Sequence, residues 1–229
     1  MSLRGVSSPS TTDPILECFA AGAISSTSAM VWMPDSARAA RLVRERMLPV
    51  GLHLNFTLAF PVEGVPDDVR RRQLELTQAF GPESWREPAG RAPAGSLIAA
   101  AVDDQLRQFR EQFGEPTHLD GHHHVHVHPA VLERLPHELP IRPPLGPGSA
   151  GRGLGQRWLL RRFRSPDTCL AFERIHPALG GEGLQVLGEA RRRVVEVMTH
   201  PAMGQREALL SAEWRAALAA LQLGSYRDL

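Results

Sequence analysis

Lysine is absent from the 229 residues; all 26 basic side chains are arginine, set against 25 acidic ones for a net charge of +1. So balanced a chain has no overall field that would draw it to nucleic acid or to an anionic membrane, and neither is expected as a partner. Cysteine is scarce. Cys18 and Cys169 lie far apart and form no CxxC pair, so no disulfide framework is expected and a reducing cytoplasm is the default setting. No window approaches the ~18 apolar residues of a membrane span. The opening MSLRGVSSPSTTDP lacks the apolar core of a signal peptide, which again points to a soluble, cytoplasmic protein. Two common catalytic signatures are missing as well. Ser25, Ser26 and Ser28 form no GxSxG elbow, and the Gly-rich stretch 143–156 lacks the Gly-Lys-Ser/Thr ending of a phosphate cradle. The arginine run 191–193 has no interleaved aromatics and reads as a solvated segment.

What is present is ordinary for a folded domain: 42% hydrophobic and 22% charged residues. The length suits one compact domain spanning 1–229. Strand-like and helix-like runs alternate, which predicts an α/β fold with a largely parallel sheet. A short helix is expected from Asp13, with Asp13 as N-cap and Pro14 at the first helical position. Strands are expected at 23–32, 48–60, 117 onward, 140–144 and 192–201, and helices at 34–47, 67–80, 96–113, 129–139 and 206–221. Residues 61–95, rich in Pro, Gly and charge, read as a loop insertion carrying that polar helix.

In parallel α/β folds the chemistry sits at the C-terminal ends of strands. Three expected strand ends carry histidine here: His53, the run 122–128, and His200. Six of the ten histidines lie between 118 and 128. Imidazole is the commonest side-chain ligand of borderline divalent metals. The segment 117–129 reads as a strand running into a histidine-rich turn; strand alternation would put His122, His124, His126 and His128 on one face, with His123 opposite, and a turn after Gly121 would alter this register. One or two of them could meet His53 from a distant strand, while Asp120 either ligates or orients an imidazole. A metal-storage module is a rival reading, and it would depend on His126 and His128 rather than His53.

PTHLDGHHHVHVHP (116–129) resembles the signature of the YdjC-like deacetylases, which include chitooligosaccharide deacetylases. GLHLN at 51–55, ISSTSAM at 24–30, EVMTHPA at 196–202 and GSYRDL at 224–229 are similar to further segments of that family, in the same order. The resemblance implies a distorted (β/α) TIM-like barrel and removal of an acetyl group from an N-acetylated oligosaccharide. It implies one divalent metal ion, Mg or Zn, held by His53 and His122. His200 would protonate the leaving amine, with Asp120 beside it in the catalytic set, and Arg142 and Asn55 would face the substrate. A homodimer is implied too. The family also begins with a strand ending in an acidic motif that supplies a metal ligand and the base. MSLRG stands in that place, so the barrel is expected to lack its first strand and the activity to be impaired. A non-catalytic sugar- or metal-binding relative is the alternative.

Overall fold

Ile98, Ala101, Val102, Leu106, Phe109 and Phe113 recur at three- and four-residue spacing, and all are buried along one face of helix α4 (Gly95–Phe113). Gly114 ends it with φ 89°, a left-handed conformation that suits glycine. In a computed structural model, which describes residues 9–81, 93–145 and 158–229, this helix packs against helix α2 (Ser36–Glu45), helix α3 (Asp67–Phe80) and strand β2 (Val50–Leu54). Most of the 143–156 loop and residues 82–92 of the 61–95 insertion fall outside the described residues.

The strands are short and parallel. Strand β1 (Thr27–Ala29) pairs with β2, and β2 pairs with β3 (Leu119–Gly121). Isolated bridges from Leu119 to Ile141 and from Leu145 to Cys169 carry the parallel order onward to strand β4 (Thr168–Ala171). Strand β4 pairs with β5 (Val195–Met198). The described strands thus form a three-stranded and a two-stranded sheet, and no closed barrel forms among them. The reason is visible at the ends of the series: β1 pairs only with β2, β5 only with β4, and residues of both line one cavity of about 480 Å³.

Register places the chemistry. His53 lies beside Asp120 across the β2–β3 pair, and Gly51, two residues earlier, shares its face with Ser28 of β1. Gly51 is there for space, because a Cβ at that position would sit 2.4 Å from the His118 ring. Overpacking of this kind costs about 1–3 kcal/mol. Gly51→Ala should therefore lower the thermal unfolding midpoint, and an unchanged midpoint would show that the His118 ring has room to move.

Several expected elements differ in detail. Helix α1 runs Pro9–Ala20, so Pro14 lies inside it and Asp13 is not its cap. Thr12, buried within it, donates its hydroxyl to Asp35 at 2.5 Å. The run after Gly121 is the histidine-rich turn expected at the end of that strand, not a continuation with alternating histidines. His122–Val127 is a tight helical turn in which His123 and His124 take left-handed angles, φ 52° and 58°. Strand alternation therefore does not apply to it. The expected helix at 129–139 is a single turn, Pro129–Leu132. The last helix splits into Arg206–Leu209 and Ala212–Ala219, with Ser211 capping the second part through its side chain.

Candidate active site

Two buried glutamines fix the end of β2. The Gln73 and Gln105 side-chain amides both donate to the Asn55 carbonyl, at 2.9 and 3.0 Å, and the Gln105 carbonyl oxygen accepts from the Asn55 backbone N–H at 2.9 Å. They satisfy a backbone that leaves the sheet in a dry interior, which holds His53 two residues upstream. Neither glutamine stands out in the sequence, because each interrupts an apolar helix face without any motif around it.

His53 Nδ1–H donates to Asp120 Oδ1 at 2.8 Å. That bond sets the tautomer and leaves Nε2 as the free lone pair. Asp120 is fully buried. It also accepts from the Ser28 hydroxyl at 3.0 Å and from the Arg142 guanidinium. Burial alone would push its carboxyl up, but Arg142 and His53 beside it hold it well below the usual carboxylate range. Arg142 in turn donates through Nε to Glu196 at 2.7 Å, and Glu196 accepts from the Tyr226 hydroxyl.

His122 stands edge-on to His53, with ring centroids 5.8 Å apart. It is fully buried, and burial lowers its pKa to about 2, so the ring is neutral at physiological pH. Neither of its nitrogens has a hydrogen-bond partner, and neither does His53 Nε2. Buried imidazole nitrogens left without partners call for an ion or water to complete them. Two adjacent imidazoles with unpartnered ring nitrogens suit a borderline divalent metal. The fit is partial: among the described residues, no group of three His, Cys, Asp or Glu side chains could hold a metal ion.

His200 follows β5 and lines the same cavity as Ser28, His53, Arg142, Glu196 and Tyr226. Its backbone N–H donates to Gln205 at 2.7 Å, and burial, with Arg142 nearby, lowers its pKa to about 4. Asn55 sits away from this cavity. Its side chain accepts from the Thr57 and Leu58 backbone N–H groups and donates to the Leu58 carbonyl, so it shapes the turn after β2. His126 and His128 have local partners: His126 Nε2 is 3.0 Å from the Arg142 carbonyl, and His128 Nδ1 caps the following helical turn. Among the described residues, no group of three His, Cys, Asp or Glu side chains forms the cluster that a storage array would need. The network also includes Ser28, Glu196 and Tyr226, which sequence reasoning did not single out. The available signal was their place in ISSTSAM, EVMTHPA and GSYRDL, and for Glu196 a carboxylate inside the apolar run of β5.

The fold and the site together define a class: an α/β protein of parallel strands with a buried imidazole–carboxylate centre at the strand ends. Residues 7–228 match the family model described as YdjC-like protein, and the chain belongs to that family. The chitooligosaccharide deacetylase of Enterobacter sp. (strain 638) is 39% identical over 124 residues, covering 52% of this chain and 45% of that protein. The carbohydrate deacetylase of Homo sapiens is 36% identical over 137 residues, covering 55% of this chain and 39% of that protein. The match thus spans less than half the length of either relative. A crystal structure of a candidate cellobiose-phosphate cleavage protein from Enterococcus faecalis V583 has the same fold. Its TM-score is 0.73 at 22% identity, covering 96% of this chain and 94% of that one.

Proposed function

We propose that this chain carries the site of a metal-dependent hydrolase that removes an acetyl group from an N-acetylated carbohydrate. The observation that carries the reading is the pair His53 and His122, buried edge to edge with three ring nitrogens lacking partners. A divalent ion bound there would polarise the acetyl carbonyl and acidify a water. His53 would use Nε2, since Asp120 holds Nδ1. Asp120 orients that ring from behind, and Arg142 keeps Asp120 ionised. His200, neutral at pH 7, would take a proton as water attacks and pass it to the departing amine. The names of the relatives support the acetyl-sugar substrate class. The barrel expected of the family would close between β1 and β5, whose outer edges line the cavity beside these residues.

A binding-only relative is the second reading, favoured by the lack of a third ligand among the described residues. One experiment separates the two. Zinc or magnesium is titrated into the chain and into its His53→Ala and His122→Ala variants, and acetate release from an N-acetylated chitooligosaccharide is followed. The hydrolase reading expects one metal per chain, weakened in both variants, and acetate release lost in His122→Ala. Metal or sugar binding without turnover would favour the second reading. Turnover unchanged by His122→Ala would end the metal-dependent one.

A further inference from the structure

Two segments at the end of the chain meet at the site without a part in the chemistry above. Glu196 comes from β5, and Tyr226 from the stretch 224–229. Tyr226 is stacked flat on His118, with ring centroids 3.8 Å apart and planes 9° apart, which aims its hydroxyl at Glu196. Glu196 holds the Nε side of Arg142, whose Nη1 holds Asp120, which holds His53. Four links thus run from a phenol to the imidazole with the free Nε2.

The charges make the order matter. Arg142 is one cation between two carboxylates, with side chains 13% exposed for Arg142, 12% for Glu196 and 0% for Asp120. Replacing a buried triad of this kind by well-packed apolar side chains is often neutral or stabilising, so stability is a weak account of it. Its effect falls on Asp120. The more Glu196 draws on the guanidinium, the less Arg142 neutralises Asp120, and the more firmly Asp120 accepts the His53 Nδ1 proton. A stronger hydrogen bond there makes Nε2 a better donor to a metal.

We infer that Glu196 and Tyr226 are positioning residues that act through Arg142 and Asp120 to set the donor strength of His53, with opposite signs. Glu196 raises it by sharing the charge of Arg142. Tyr226 lowers it by donating to Glu196 and tempering that carboxylate. The link to metal binding rests on the proposed role of His53; the link to the His53 proton does not.

The test uses the metal-free full chain, without substrate. The His53 Nδ1–H proton is followed by NMR, assigned by its loss in His53→Gln. Glu196→Gln should move it upfield, since Arg142 then neutralises Asp120 more fully. Tyr226→Phe should move it downfield. Loosening of the fold alone would move both upfield, and a purely local Glu196–Tyr226 contact would move neither; either result overturns the inference. Thermal unfolding checks that each variant is folded, and if Glu196→Gln is not, the downfield shift in Tyr226→Phe still decides. Zinc titration supplies the second readout. About tenfold weaker binding is expected in Glu196→Gln, the low end for an outer-shell partner of a metal ligand, with no weakening in Tyr226→Phe. If the chain binds neither zinc nor magnesium, the proposed hydrolase reading loses its support while the sign of the proton shifts still tests the inference.

Discussion

Replacing Arg142 with methionine should destabilise the fold by about 3–5 kcal/mol, the usual effect of removing one partner from a buried ion pair. The side chain is 13% exposed and stands between a fully buried Asp120 and a nearly buried Glu196. Its removal leaves two carboxylates facing each other with no cation between them. The remaining hydrogen-bond donors to Asp120 are the Ser28 hydroxyl and His53 Nδ1–H, and neither replaces the guanidinium between the two carboxylates. Urea unfolding measures the loss. Adding Asp120→Leu and Glu196→Leu in the same chain should recover much of it, because the burden is the unpaired charge rather than the missing volume. A loss below about 1 kcal/mol would mean that water reaches Asp120 or that it takes up a proton.

Acid should unfold this protein well above the pH at which its carboxylates titrate. His118, His122 and His126 are buried, and burial lowers their pKa values to about 3, about 2 and about 3. In the unfolded chain the same rings have pKa values of about 6.5. Below that value the unfolded form binds more protons than the folded one, so stability falls as pH falls. Between pH 7 and pH 5 the linkage amounts to about 2 kcal/mol per histidine, about 6 kcal/mol for three, against a total of about 5–15 kcal/mol for an ordinary domain. Asp120, with its pKa lowered, adds its loss only below about pH 4. Thermal unfolding at half-unit steps from pH 7.5 to 4.5 tests this. A flat profile across that range would show that the rings are hydrated or already paired with protons in the folded state.

The sequence made the helices far more legible than the site. Helix α3 falls on the expected 67–80, and α4 begins one residue before the expected 96–113, because each repeats its apolar residues over several turns. The strands were harder to read. Four residues in β4 and three in β1 leave little room for a pattern, and β4 was not anticipated at all. Within the site, His53, His122, Asp120, Arg142 and His200 were singled out, but which of them touch is fixed by strand register. That the His53 neighbour across the pair is Asp120 follows from Leu52 aligning with Leu119, a fact of pairing between distant segments. The histidine run was legible as a turn after Gly121, but not in its geometry: His123 and His124 turn left-handed, so alternation does not set which rings meet. Ser28, Glu196 and Tyr226 lie in the segments ISSTSAM, EVMTHPA and GSYRDL that carry the resemblance, but nothing in those segments says which side chain reaches the site; only the fold brings these three to Arg142 and Asp120.

Tyr226 is the one tyrosine in the chain. Its burial and the Glu196 carboxylate beside it push the phenol well above its usual range, so it stays protonated wherever the fold persists. Feeding the cells ring-labelled tyrosine would therefore mark a single atom group in the whole molecule, already seated between His118 and Glu196. Spectroscopically, the centre comes with its own reporter, one that needs no assignment and no introduced label site.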